Sequence, residues 1–292
     1  MKAIATTQMT LCAALDELGA ATWLEMEQGT RTRQPLEEEA ITSYHLMRLA
    51  AAVPSVRLEK HTKKRESKSG ADWEIWAGRP GGLLGLRVQA KMLKCDSKLP
   101  EYTSLYSSKA SATKQIEKLI SSAESVVPQM YPTLVFYNSL RLRTDEFSEI
   151  RCPRLEDEPM LCGWTVASAY AVRALLLATP SKHLCDLVSL MLPLSCLFCC
   201  PSSCWLSNSS REAPLAERVA AQFRKAWPGD TVDASSLIRA GPTYAERLYK
   251  GEAAGTGWAH FPAKIRRLLT QERELPKGIS RVLVIRDEPS TG

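Results

Sequence analysis

The chain has 292 residues, of which 45% are hydrophobic and 24% charged, with a formal net charge of +6. These values are ordinary for a soluble globular protein and leave room for one large domain or two small ones. Nine cysteines, an odd number in a long chain, argue against a disulfide scaffold, and an N-terminus with one lysine before Asp16 and Glu17 makes a poor signal peptide, so free thiols in a cytoplasmic protein are expected.

Met9 to Glu27 reads as a helix, with Leu11, Leu15, Leu18 and Met26 on one stripe. Gly29 to Gln34 is a polar break. Pro35 suits a first helical turn, and Glu37, Glu38 and Glu39 suit a helix N-terminus through the dipole. That helix runs to about Val53, with Ile41, Leu46 and Leu49 facing inward, and Pro54 closes it. Ser55 to Thr62 alternates as a strand, and a charged loop from Lys63 to Ser69 follows. Trp73 to Ala77 and Leu84 to Leu93 form the arms of a β-hairpin around Gly78, Gly81 and Gly82. A mobile stretch is expected from Lys94 to Tyr106. Ser107 to Glu124 is a second core helix, and Thr133 to Tyr137 is a short apolar strand expected near the centre of a sheet. Further on, Trp164 to Ala178, His183 to Leu192 and Pro214 to Ala226 read as helices. Arg281 to Arg286 is a late apolar strand that could return to the same sheet. The chain then divides into a core at 1–145 and a mainly helical extension at 146–292.

The hairpin carries the chemistry. Residues two apart in a strand share a face, so Gln89 and Lys91 lie together and Val88, Ala90 and Met92 take the other side. Asp72 stands at the head of the partner strand. A carboxylate, an amide and an ammonium gathered on adjacent strands suit a divalent cation and a phosphate. A buried strand with a polar pair on one face also asks for partners. From Ser55 to Lys94 there are ten Lys/Arg and four Asp/Glu, so this stretch alone accounts for the net excess of +6. A basic excess placed there suits a polyanion, or else is a solvated edge.

The αβββαβ order, Asp72 and Gln89-x-Lys91 resemble the PD-(D/E)XK nuclease superfamily, in particular its Mrr-like branch, which has Gln where most members have Glu. The resemblance covers about Pro35 to Leu140. The words Glu38-Glu39-Ala40-Ile41-Thr42, Gly70-Ala71-Asp72-Trp73, Val88-Gln89-Ala90-Lys91 and Phe136-Tyr137-Asn138 also look like a bacterial family of unassigned function. The resemblance implies a restriction-endonuclease-like α/β fold with a mixed central sheet. It implies Mg²⁺ or Mn²⁺ held by Asp72, Gln89, the Ala90 carbonyl and a helix glutamate, with Lys91 as the catalytic lysine. Glu38 lies nearest the apolar stripe of its helix and Glu39 a little further round; Glu38 is the first choice and Glu39 the reserve, and Glu66 is a further candidate acid. Lys60, Lys63, Lys64, Arg65, Lys68 and Arg87 are candidate phosphate contacts, joined by Lys109 and Gln115 on the following helix. Tyr102 could stack on a base or pack in the core.

The reading is a metal-dependent endonuclease, with DNA rather than RNA as the expected substrate and defence against foreign DNA as a role implied by the resemblance. Cutting both strands of a duplex would suggest a homodimer. The neutral Gln89 motivates the alternative, a nucleic-acid-binding module on a degraded nuclease fold. A third reading is an interaction scaffold built on the Cys-rich C-terminal half. The run Cys196-x-x-Cys199-Cys200-x-x-x-Cys204 supplies half of a zinc site and lacks a second pair, so structural zinc is not expected. The uncharged stretch between Asp186 and Arg211 is broken by Pro193, Pro201 and serines, so no membrane span is expected there.

Overall fold

The computed structural model describes residues 9–60, 71–95, 99–106, 108, 111–139, 147, 149–150, 152–156, 158–199, 213–242, 245–246, 249–250 and 281–287, without the side chains of Glu59 and Lys60. It opens with helix α1 (Leu11–Arg31), capped by Thr10, whose Oγ1 accepts from the Ala13 N–H at 3.2 Å. The helix runs through the glycine-containing stretch that reads as a break, because Gly29 and the residues around it stay hydrogen-bonded as a final turn. Helix α2 (Glu38–Ala52) follows, its first turn carrying Glu38 and Glu39 where the dipole favours anions.

Three strands come next: β1 (Val56–Lys60), β2 (Trp73–Arg79) and β3 (Gly82–Met92). The β2–β3 hairpin closes at Pro80-Gly81, where Gly81 has φ +81°, a backbone state that glycine adopts without a side-chain clash. Helix α3 (Lys114–Ser125) and strand β4 (Tyr131–Tyr137) complete the expected order. The fold is thus α/β, with the helix-strand-strand-strand-helix-strand succession of a nuclease-like core.

The second half adds to the sheet as well as to the helices. Strand β5 (Trp164–Ser168) runs directly into α4 (Ala169–Ala178). This corrects the single helix expected over 164–178. Trp164, Thr165 and Val166 pair antiparallel with β4, and Ser168 stops the strand by capping α4 through the N–H groups of Tyr170 and Ala171. The helix expected over 183–192 is instead α5 (Leu184–Leu187), a 3₁₀ turn and the two-residue strand β6 (Leu192–Pro193). Helices α6 (Leu194–Cys199) and α7 (Leu215–Ala226) follow, and β7 (Arg281–Arg286) ends the described chain.

The seven strands form one mixed sheet in the order β1-β7-β2-β3-β4-β5-β6. The late strand does more than join an edge. It sits between β1 and β2, antiparallel to the first and parallel to the second. Strands β3 and β4 pair in parallel, Gln89 opposite Leu134 and Lys91 opposite Phe136. Every residue of β4, and β3 from Leu83 onward, is buried, as expected for strands covered on both faces. Helix α3 lies on the Arg87 face of β3, where Arg87 Nη1 donates to the Ser122 carbonyl at 2.7 Å. Helix α2 reaches the opposite face, where Thr42 Oγ1 and Tyr137 Oη are 2.9 Å apart. Trp23, Trp73, Trp76, Trp164, Tyr102, Tyr131, Phe136 and Tyr137 are fully buried between these layers.

Two sequence expectations need correction here. Part of the stretch expected to be mobile is tied down, since Glu101 pairs with Lys94 through two backbone bonds and Tyr102 is fully buried. The cysteines are also not all free. Cys12 of α1 and Cys199 of α6 form a disulfide across 187 positions, and Cys152 Sγ lies 2.6 Å from Cys196 Sγ. Local spacing within the cysteine run carries no information about partners that tertiary packing brings from so far away. Among the described residues, no helix is long and apolar enough to cross a membrane.

Candidate metal centre

The site lies where the α2 N-terminus meets the end of the β2–β3 hairpin. Asp72 immediately precedes β2. Its N–H donates to the Val88 carbonyl at 2.8 Å, and its Oδ2 accepts from the Ala90 N–H at 2.7 Å. Asp72 is therefore tied to the backbone on both sides of Gln89, by its N–H on one side and its carboxylate on the other, while remaining half-buried. Two residues beyond Gln89 stands Lys91, only 3% exposed. Burial pulls its pKa down, and the carboxylates of Glu38 and Asp72 work in the opposite direction.

Glu38 enters from the first turn of α2. Its carboxylate receives the Met92 N–H and, at 3.4 Å, the Ser104 hydroxyl. Burial raises its pKa to about 7; the Lys91 ammonium counteracts this and the neighbouring Asp72 charge adds to it. Glu38, Asp72 and Lys91 thus act on one another's charge. The phenol of Tyr137, raised above its ordinary range first by burial, also feels both carboxylates and is bonded to Thr42.

Glu39 takes a different direction. Its carboxylate faces Arg281 of β7 at 3.4 Å, and Arg281 also donates to Ser43 at 2.8 Å. Of the two helix glutamates, Glu38 is the one brought to Asp72 and Lys91, and Glu39 is corrected to an inter-element tie. One helical step of about 100° separates these fates.

Gln89 is 2% exposed and contacts α3. Oriented so that both ends of its amide meet complementary partners, Gln115 donates from Nε2 to the carbonyls of Ser104 (3.0 Å) and Leu105 (3.2 Å). Its Oε1 then accepts from Gln89 Nε2 at 2.8 Å. Gln89 Oε1 is left buried without a hydrogen-bond partner among the described residues. Gln115, expected as a nucleic-acid contact, is half-buried and bonded to Gln89.

Two other expected contacts are corrected. Arg87 is buried: its guanidinium lies 3.6 Å from Glu74, which is itself 0% exposed, and bonds the Ser122 carbonyl. Tyr102 is a core residue, its hydroxyl donating to Asn138 Oδ1 and its ring meeting Phe136 edge-on at 4.7 Å. Glu66, Lys63, Lys64, Arg65, Lys68 and Lys109 lie outside the described residues, as does the side chain of Lys60.

Sequence reasoning missed Ser104 and Tyr137 as neighbours of the acids. The words Glu38-Glu39-Ala40-Ile41-Thr42 and Phe136-Tyr137-Asn138 contained the signal, since Thr42 and Tyr137 bond one another and Asn138 anchors the strand end through the Cys162 carbonyl at 2.6 Å.

Among the described residues, no three His, Cys, Asp or Glu side chains come together. A cation here would rest on two carboxylates and an amide oxygen, all hard ligands of the kind Mg²⁺ and Mn²⁺ accept. The unpartnered buried Gln89 oxygen fits such a group. A family model described as "Family of unknown function (DUF6615)" matches residues 11–291. No curated protein and no solved structure matches the chain.

Proposed function

The chain belongs to DUF6615, a family of unknown function, and from its site geometry we propose a metal-dependent phosphodiesterase acting as an endonuclease. The observation that supports this reading is the electrostatic coupling of Glu38, at the head of α2, with Asp72, at the entry to β2, and Lys91 of β3, with Gln89 two residues before Lys91 on the same strand. Asp72 and Glu38 would hold Mg²⁺ or Mn²⁺, with Gln89 Oε1 as a neutral third oxygen. The bound cation would supply neutralisation of phosphate charge and acidification of water.

The protein's own groups do the rest. The Asp72 carboxylate is held in place by the Ala90 N–H, which donates to its Oδ2. Lys91 Nζ, screened from solvent by burial, offers a cation to charge that develops on a phosphoryl oxygen. The Met92 N–H and the Ser104 hydroxyl hold the Glu38 carboxylate in place beside Lys91 and Asp72. DNA is the substrate class suggested by the nuclease resemblance, in a cytoplasmic setting.

The test is plasmid nicking with Mg²⁺ or Mn²⁺. Cleavage that Asp72→Asn and Lys91→Met abolish, with the fold retained by circular dichroism, is the expected result. The scarcity of carboxylates favours one second reading, a nucleic-acid-binding module without catalysis. Salt-dependent duplex binding with no cleavage under either metal would replace the first reading with that one.

A further inference from the structure

A neutral amide is a weak ligand for a hard dication unless its oxygen is aimed, because a freely turning amide presents an N–H₂ group as readily as an oxygen. Gln89 does not turn freely. Gln115, the second residue of α3, is held by two backbone carbonyls that can only accept, so its Nε2 faces them and its Oε1 faces Gln89. Gln89 must then direct its own Nε2 toward Gln115 at 2.8 Å. The opposite end of the amide, Oε1, is left as a buried acceptor with no partner among the described residues.

We propose that Gln115 is the positioning residue of the metal centre: it fixes the Gln89 amide so that Gln89 Oε1 is presented to a divalent cation. The inference rests on the metal-centre reading above and adds to it. It also accounts for the amide at position 89. Gln115 offers an acceptor, so a glutamate there would set oxygen against oxygen, whereas glutamine supplies the required donor. The carbonyls of Ser104 and Leu105 thereby select the ligand type two side chains away. Ser104 is tied in twice, since its hydroxyl also holds Glu38.

The test uses the full chain and Mn²⁺ alone, with bound metal read by electron paramagnetic resonance and the Gln89 side-chain amide followed by NMR. Losing the partner that orients a ligand typically lowers metal affinity by about 10- to 100-fold. Gln115→Leu is expected to weaken Mn²⁺ binding in that range, and to speed solvent exchange of the Gln89 Nε2 protons in the metal-free protein. In a Gln89→Glu background, whose two oxygens need no aiming, Gln115→Leu should cause no loss. That rescue is the readout a merely structural role would not produce.

If wild type binds Mn²⁺ and Gln115→Leu binds it equally well, the positioning role is overturned while the metal centre stands. An equal loss in both backgrounds also overturns it. Failure of wild type to bind Mn²⁺ overturns the metal-centre reading and this inference with it. Should Gln115→Leu fail to fold, Gln115→Met serves in its place. Fast exchange of the Gln89 amide in folded wild type would refute the relay without any variant.

Discussion

The β2–β3 hairpin carries two acid-base constellations on one stretch of backbone, and they end up opposite in character. Glu74 and Arg87, register partners across the hairpin, are sealed by α3 and by Trp76, whose Nε1 donates to Glu74 at 3.2 Å. Each charge there finds its counter-charge inside the protein. A few residues along, the carboxylates of Asp72 and Glu38 act on the Lys91 ammonium and stay half-buried, next to Gln89, whose Oε1 has no hydrogen-bond partner among the described residues. Burial and charge are common to both ends. What differs is exposure: one pair is enclosed with its counter-charge, and the other keeps both carboxylates half-exposed at the surface.

That contrast can be broken most directly at the sealed end. Removing one partner of a buried ion pair strands the other charge and typically costs about 3–5 kcal/mol. Glu74→Leu is expected to lose stability in that range by urea denaturation, while the protein that remains folded keeps its Mn²⁺ affinity. Loss of metal binding without loss of stability would erase the distinction between the two ends.

The open end should respond in the reverse sense. Asp72→Asn keeps an acceptor for the Ala90 N–H and removes only the charge. It and Lys91→Met are expected to lower cleavage by about 100- to 1,000-fold, the usual cost of deleting one electrostatic stabiliser. Their melting temperatures should move little beside that of Glu74→Leu.

A fourth variant sharpens the comparison with a buried group belonging to neither end. His45 lies between α1 and α2, near Thr22 and Glu25, and burial lowers its pKa to about 4. The unfolded chain takes up this proton near pH 6.5, before the folded one does. Stability from this residue is therefore lost as pH falls from about 6.5 to 4, by up to about 3 kcal/mol. The wild-type minus His45→Gln difference in unfolding free energy should follow that window and be flat above pH 7. The smallest effect is expected at Tyr102, where removing the hydroxyl leaves the Asn138 oxygen unmatched. Tyr102→Phe should cost about 1–2 kcal/mol and leave duplex affinity unchanged, because the ring is interior.

Much of the fold was legible because periodicity and punctuation agree over the first half: α2, the hairpin, α3 and β4 each appear close to where apolar spacing puts them. Asp72, Gln89 and Lys91 were readable because strand alternation is strict. Glu38 was distinguishable from Glu39 by one helical step. The misses have a common cause, since each depends on a partner distant in sequence. Trp164–Ser168 becomes a strand only because β4 offers a free edge, and Arg87 is internal only because Glu74 and α3 enclose it. The bond from Gln89 to Gln115 was not legible either, because it depends on where the carbonyls of residues 104 and 105 fall.

The position of β7 has a consequence for synthesis. Among the described residues, the first strand pairs only with the one drawn from residues 281–286. A ribosome must therefore deliver the chain as far as residue 286 before this side of the sheet can zip, and until then β1 and β2 lack the strand that lies between them. A chain halted short of that last segment would emerge with a gap through its framework. Premature termination should thus yield material for proteases rather than a smaller working protein.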